Sequence, residues 1–229
     1  MMRARYFPDV LTQNLDGHYI VFVVDCRHEL GGCTRTIWGE GRSVSLIPLG
    51  PEQLGGMIYQ DNVNPAPPEI DDPLAWRSYL SNLYADFPVW VHDAVAALKA
   101  GDEVFSDQIL MVPASALARG RLALVGDAGY CPTFFSGMGA AAALIGAYAL
   151  TRQLDQHSDP VAALSAYEAR MLPIAKGYQS SAFGSRRRTL ARGWMSTVRN
   201  VLTARLPEKI GDMATRRNYQ SEITMAALS

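Results

Sequence analysis

One carboxylate in the sequence stands where an apolar stretch ends, and this position suits ligand binding. Leu122 to Val125 predict a buried β-strand, and Gly126 and Asp127 follow it directly. Ligands of open α/β sheets bind outside the carboxyl ends of the strands. We therefore expect Asp127 to present its carboxylate to a ligand at that edge.

A glycine-rich helix start follows this carboxylate. After a loop of small and aromatic residues, an alanine-rich helix is predicted to open at Gly137, Met138 and Gly139. Glycine lets the backbone approach a ligand closely. The free amides and the dipole of a helix start favour an anionic or electron-rich group. We expect the helix start and Asp127 to face one cleft.

Residues 120–150, GRLALVGDAGYCPTFFSGMGAAAALIGAYAL, resemble the second FAD motif of the flavin-dependent aromatic hydroxylases, monooxygenases similar to para-hydroxybenzoate hydroxylase. The resemblance implies that Asp127 hydrogen-bonds a hydroxyl of the flavin ribityl chain and that Pro132 lies close to the isoalloxazine ring. The implied cofactor site also contains Gly126 and the backbone amides of Gly137, Met138, Gly139 and Ala140, which would face the flavin pyrimidine edge.

The sequence departs from the family pattern at several positions of this motif. Tyr130 stands where many members have histidine, and Pro132 falls one place earlier than their usual proline. Met138 replaces a frequent glutamine, and Ile145 and Gly146 stand where an acidic residue is common.

Another departure is the absence of the family's GxGxxG turn, which holds the FAD pyrophosphate. The glycine pairs 31–32 and 55–56 lack its spacing. We therefore interpret the chain as the carboxyl-terminal portion of such an enzyme. The resemblance implies FAD as cofactor and NAD(P)H as co-substrate, with a separate FAD-binding half or a second copy of the chain as protein partner.

Two functions are consistent with these residues. The first is an FAD-dependent monooxygenase, or its substrate and flavin-ring half, using NAD(P)H and oxygen on an aromatic or polyketide-like molecule. The alternative is a non-catalytic remnant or partner-dependent subunit that binds a small ligand or a protein. No catalytic residue is assigned, because the sequence contains no serine-histidine-aspartate order, nucleophile elbow or P-loop.

Residues 18–60 predict short antiparallel strands, since β-branched and aromatic residues alternate there with polar ones. In the resembled family such a sheet covers the flavin ring and roofs the substrate pocket. Trp38, Leu46 and Tyr59 are accordingly predicted to line the pocket of a small aromatic substrate. The alternative is that these side chains fill the core between sheet and helices.

The predicted fold class is α+β: an antiparallel substrate-domain sheet with packed helices, plus the carboxyl-terminal strand and helices of an FAD-binding α/β domain. Residues 1–106 would form the substrate-binding sheet and helices, 107–185 the second FAD motif, and 186–229 a basic helical tail. Further predicted elements are helices at 74–84 and 88–101, a strand at 108–112, and a helix from Asp159 that Pro173 kinks or divides.

Charge and cysteine content exclude some classes of protein. The formal net charge is -1, which argues against a general nucleic-acid binder. Three cysteines without a CxxC pair predict reduced thiols and a cytoplasmic protein. Cys26, His28 and Cys33 lack the spacing of zinc ligands, so no metal site is predicted.

Arginines dominate the last part of the chain, from Arg186 to Arg217, and apolar residues recur among them near helical spacing. This pattern predicts a basic amphipathic helix, which could rest on an anionic membrane surface or pack against a partner. The alternative is a helix whose apolar face covers the domain's own core.

Overall fold

A computed structural model of the chain describes residues 2–30, 32–68 and 72–205. These residues form two compact units. The sheet unit contains the described parts of 15–109 with 187–200, and the motif unit contains 2–14, 110–186 and 201–205. The functional division at 106/107 and 185/186 stays a prediction.

An antiparallel sheet is present, as the alternation predicts. Its strands are β1 (Gln13–Asp25), β2 (Arg35–Gly39), β3 (Arg42–Gly50), β4 (Gln53–Asp61) and β5 (Val104–Met111), in the order β2-β3-β4-β1-β5. The pairs β1–β4, β2–β3 and β3–β4 are antiparallel. Mixed helix and antiparallel sheet agree with the predicted fold class at this level.

Two helices pack on one face of the sheet. They are α2 (Pro73–Leu83) and α3 (Val89–Ala96). Both are predicted from helical spacing, but α3 ends five residues before the predicted end at 101. The Asp72 carboxylate accepts a hydrogen bond from the Leu74 amide at 3.0 Å and caps α2. Trp76 and Leu80 of α2 are buried in one hydrophobic cluster with strand residues such as Ile58. Burial of this apolar face is what holds the two helices on the sheet.

Helices dominate the motif unit. Its elements are α1 (Met2–Tyr6), the hairpin β6 (Ala118–Arg119) and β7 (Leu122–Ala123), α4 (Asp127–Tyr130), a 3₁₀ turn (Phe134–Ser136), α5 (Gly139–Gln156) and α6 (Pro160–Thr189); α7 (Trp194–Arg205) begins in the sheet unit. The Asp159 carboxylate caps α6 through the Val161 amide at 3.1 Å, as predicted. Helix α6 continues through Pro173 without a break.

The prediction of a buried strand over Leu122 to Val125 is wrong in both the length and the burial of the strand. Only Leu122 and Ala123 pair, with Arg119 and Ala118 respectively, and Leu122 is 37% exposed. A strand extends only as far as a neighbouring strand offers hydrogen bonds. Here that neighbour is the two-residue strand β6.

None of the helices in the described residues is long and apolar enough to cross a membrane.

A bidentate ion pair ties the segment before α7 to the sheet. Arg192 donates from Nε to Asp61 Oδ2 at 2.6 Å and from Nη2 to Oδ1 at 2.9 Å. Burial alone would raise the pKa of Asp61, but Arg192 and the amides of Asn64 and Val63 outweigh it and lower the pKa below its ordinary 3.8. The ionised carboxylate is therefore the form that the fold stabilises.

We expect Arg192→Gln to lower the free energy of unfolding at pH 7 by about 1–3 kcal/mol, because a buried carboxylate loses its charged partner. Since folding depresses the pKa of Asp61, this stabilisation is present above pH 3.8 and is lost as pH falls below that value. Urea unfolding at several pH values measures it.

The control is Lys99→Gln, which breaks the exposed Lys99–Asp25 pair and should lower the free energy of unfolding much less, because solvent screens an exposed pair. Equal losses in the two variants, or a loss that persists unchanged at low pH, would contradict the assigned role of Asp61.

Candidate functional site

Gly126 places Asp127 at the exposed start of a single helical turn. Its φ of +65° is unfavourable for other residues, and an added Cβ would lie 3.3 Å from the Ala143 Cβ. The Gly126 carbonyl accepts from the Tyr130 amide at 3.0 Å, which closes α4. Asp127 is exposed, and its Oδ1 lies 4.0 Å from where a Cβ on Gly139 would stand. The structure thus brings the carboxylate to the start of α5, as predicted.

Two of the four amides predicted to face a ligand already have partners. The Gly137 amide donates to the Phe134 carbonyl at 3.1 Å, and the Met138 amide donates to Ser136 Oγ at 3.0 Å. Gly139 begins α5, and no side chain caps this helix start. Amides of a first helical turn have no acceptor within the helix. The amides of Gly139 and Ala140 are therefore the donors available beside Asp127.

The loop between α4 and α5 is tightly folded. Pro132 is buried, so it presents little surface to a ligand in this structure. Thr133 has a φ of +69°, a strained conformation for a β-branched residue, and its Oγ1 accepts from the Phe135 amide at 3.0 Å. The side chain of Met138 is buried in the core of the motif unit. Pro132 and Met138 therefore hold the loop in place.

Helix α6 fixes the backbone of residues 112–118, which leads into the hairpin before α4. Gln179 is buried; its Nε2 donates to the Val112 carbonyl at 2.6 Å, and its Oε1 accepts from the Ala114 amide at 3.0 Å. The Glu168 carboxylate accepts from the amides of Leu117 and Ala118 at 2.5 and 2.7 Å. No role in the site is predicted from the sequence for Gln179 or Glu168. The available signal for Gln179 was a polar residue on the buried stripe of a helix.

Two departures from the family pattern, at positions 130 and 146, fit one another in space. Tyr130 is fully buried, and a Cβ added to Gly146 would overlap the Tyr130 hydroxyl and lie 2.9 Å from its Cζ. Tyr167 donates to the Leu124 carbonyl at 2.8 Å, and its hydroxyl lies 3.5 Å from that of Tyr130. Burial, followed by the neighbouring Tyr130, raises the pKa of Tyr167, so the Tyr167 phenol stays neutral. Because residue 146 is glycine, the Tyr130 side chain has room to pack against α5.

The residues predicted to line a substrate pocket lie in the sheet unit and divide between its two faces. In the strand register, Trp38 lies opposite Ser43, Ser43 opposite Tyr59, and Tyr59 opposite Tyr19. These four residues form a row on one face. Burial and then Tyr19 raise the pKa of Tyr59 to about 12. Leu46 is instead buried in the cluster with α2 and α3 on the other face.

The cysteine and histidine group near residue 30 makes ordinary contacts. His28 Nε2 lies 2.7 Å from the Gly50 carbonyl, and His28 Nδ1 accepts from the Leu30 amide at 3.4 Å. Within the described part of the chain, no group of three or more His, Cys, Asp or Glu side chains is arranged to hold a metal ion.

No protein-family profile matches the chain. A flavin-dependent monooxygenase of an unknown prokaryotic organism is 27% identical over 178 residues, which cover 77% of this chain and 45% of that protein. The FAD-dependent urate hydroxylase of Klebsiella pneumoniae is 35% identical over 136 residues, which cover 59% of this chain and 34% of that protein.

Solved structures resemble this fold. Klebsiella pneumoniae HpxO, complexed with FAD and uric acid, superposes with a TM-score of 0.73 at 25% identity, over 87% of this chain and 53% of that one. The tetracycline destructase Tet(55) has a TM-score of 0.68 at 24% identity, over 88% and 55% of the two chains. The chain thus spans about half the length of these proteins or less, and the predicted resemblance to FAD-dependent hydroxylases is confirmed.

We expect Gly146→Ala to destabilise the protein by about 1–3 kcal/mol, because the new methyl group overlaps the buried Tyr130 hydroxyl. The matched control is Gly177→Ala in α6, where nothing lies within 4 Å of an added Cβ. That change should stabilise the helix by up to about 1 kcal/mol. Thermal unfolding of both variants measures the difference, and equal effects would contradict the packing of Tyr130 on Gly146.

Proposed function

We propose that this chain, similar in sequence and fold to FAD-dependent monooxygenases, supplies the flavin-ring site and the substrate-facing sheet of such an enzyme. The reaction class is hydroxylation of an aromatic or polyketide-like small molecule with NAD(P)H and oxygen. The observation that carries the proposal is the exposed Asp127 carboxylate beside the uncapped amides of Gly139 and Ala140.

The polar groups of this site match those of a flavin. A carboxylate accepts hydrogen bonds only, which suits a ribityl hydroxyl, while backbone amides donate only, which suits the carbonyl oxygens of the pyrimidine edge. Gly139 lacks a side chain where the ring would approach the backbone beside Asp127, and Gly126 lets the chain pass close to Ala143 of α5. When bound, FAD supplies the redox chemistry, and these residues hold and orient it. Gly137 and Met138 would shape the turn rather than donate to the flavin.

The row Trp38, Ser43, Tyr59 and Tyr19 suits a flat, partly polar substrate. Its rings offer stacking surfaces and the Tyr19 and Tyr59 hydroxyls offer hydrogen bonds, whereas Ser43 is buried between the strands. Relatives are named for uric acid and tetracycline, both of which are ring compounds. We assign substrate contacts to Trp38 and Tyr59, and we place Leu46 in the core behind them.

The FAD pyrophosphate and adenosine would be held by residues outside this sequence. The chain has no GxGxxG turn and spans 45% and 53% of two proteins that it resembles. We assign that role to a nucleotide-binding segment, either continuous with this chain or a separate partner. The three free cysteines fit the reducing cytoplasm as its location.

We expect the chain to bind FAD, FMN and riboflavin with similar affinity, because its donors and acceptor face the ring and the ribityl chain rather than the pyrophosphate. Asp127→Ala should weaken all three by about tenfold or more, since a hydrogen bond to a charged group is lost. Quenching of flavin fluorescence during titration of the 229-residue protein measures each affinity.

Asp155→Ala is the matched control, because Asp155 is an exposed carboxylate near the other end of α5. It should leave flavin binding unchanged. A folded protein that binds no flavin, or that binds it equally well without Asp127, would contradict the assignment of this site.

A further inference from the structure

The sheet unit contains a cavity of about 510 Å³ on the face of the sheet that α2 and α3 cover. Its floor includes Leu46 of β3 and Leu54 of β4, which are almost fully buried in the cluster with these helices. Ligand pockets in proteins commonly have volumes of about 300–1,000 Å³. The row that contains Trp38 and Tyr59 lies on the other face of the sheet. This cavity is therefore separate from the substrate contacts assigned above.

One wall of the cavity is a side of helix α3. Val89, Trp90 and Asp93 line the cavity together, as expected of residues three and four positions apart on a helix. The Cys26 thiol also lines it. Burial, followed by the charge of Asp93, raises the pKa of this thiol, so it is uncharged at neutral pH. The Asp93 carboxylate thus acts electrostatically on the interior of the cavity.

Arg35 brings a positive charge to the same cavity. In the strand register it lies opposite Leu46, so its side chain is on the side of the sheet that faces the helices. Its guanidinium carbon lies 5.6 Å from the centroid of the Trp90 ring. Neither Arg35 nor Asp93 forms an ion pair within the part of the chain that the structure describes. Two opposite charges therefore border one apolar cavity without a protein partner.

The segment from Cys26 to Leu30 closes the cavity beyond the end of β1. His28 holds this segment in place: Nε2 lies 2.7 Å from a carbonyl of β3, and Nδ1 accepts from an amide of the segment at 3.4 Å. Both ring nitrogens thus have partners within the protein. Arg27 and Glu29 are exposed at the rim, and Arg27 lies 3.9 Å from Glu52. Solvent screens these rim charges, which leaves Arg35 and Asp93 as the charges that a ligand would meet.

We propose that this cavity binds a free amino acid with an apolar side chain. The side chain lies on Leu46 and Leu54 beside the ring of Trp90. The guanidinium of Arg35 donates to the α-carboxylate, for which its parallel N–H groups are suited. The carboxylate of Asp93, which only accepts hydrogen bonds, pairs with the α-ammonium group, which only donates them.

Charge decides between this ligand and its simpler relatives. An apolar carboxylic acid would pair with Arg35 but would leave Asp93 without a partner. An apolar amine would pair with Asp93 but would leave Arg35 without one. Only a zwitterion satisfies both groups at once, and a ligand that leaves a charged group unpaired binds more weakly. An aromatic side chain suits the cavity best, because it can stack against the Trp90 ring.

Isothermal titration calorimetry of the 229-residue chain with L-phenylalanine tests this proposal. The protein should bind L-phenylalanine at one site. It should bind 3-phenylpropionate and phenethylamine, each of which lacks one of the two charges, at least about tenfold more weakly. Arg35→Gln and Asp93→Asn should each weaken the binding of L-phenylalanine about tenfold or more, because a hydrogen bond between charged groups is lost. Circular dichroism checks that these variants of exposed residues fold.

Arg77→Gln and Glu103→Gln are the matched controls, because both side chains are exposed in the sheet unit and neither lines the cavity. They should leave the affinity for L-phenylalanine unchanged. A folded protein that does not bind L-phenylalanine, or that binds it equally well without Arg35 or Asp93, would overturn the proposal. Equal affinity for 3-phenylpropionate would also overturn it, since the cavity would then recognise an apolar acid and not a zwitterion. None of these outcomes depends on flavin binding.

Discussion

The packing of the Tyr130 ring against the backbone of Gly146 is the constraint on which the candidate site depends. Tyr130 ends the single turn that Asp127 begins, and its hydroxyl occupies the space that a side chain at 146 would fill. The neighbouring Tyr167 hydroxyl holds the Leu124 carbonyl, just before the turn. Tyr130 thus packs the end of the turn against α5, and Tyr167 of α6 holds the backbone before the turn. Together these contacts place Asp127 at the start of α5.

A second constraint is the backbone around residues 112–118, which has little sheet of its own. Buried amides and carbonyls need partners, and here side chains of α6 provide them. Gln179 serves as both donor and acceptor to Val112 and Ala114, while Glu168 accepts from two successive amides. Polar side chains on one helix thus replace the neighbouring strand that this segment lacks.

Local patterns were enough to predict much of this structure. Alternation predicted the antiparallel strands, glycine predicted the start of α5, and Asp159 predicted the cap of α6.

The tertiary contacts of individual residues could not be predicted in the same way. Adjacent positions of a strand point to opposite faces, so the mixed run Ser43 to Ile47 did not reveal that Leu46 faces the helices. The partners of the Gly137 and Met138 amides depend on the fold of the eight-residue loop between α4 and α5, which no periodicity describes. The predicted basic helix from Arg186 to Arg217 divides between the end of α6 and α7, and its residues beyond 205 lie outside the described part of the chain. Apolar side chains of α7 such as Trp194 and Val198 are exposed, because periodicity defines a stripe but not the side on which the core lies.

Amide hydrogen exchange across residues 137–140, with and without riboflavin, tests the central claim most directly. The amides of Gly139 and Ala140 have no acceptor within the helix, so they should exchange quickly in the free protein and slow markedly when flavin saturates the site. The amides of Gly137 and Met138, which already donate to Phe134 and Ser136, should change little. Exchange at Gly139 and Ala140 that stays equally fast under saturating flavin would show that the start of α5 is not where the ring binds.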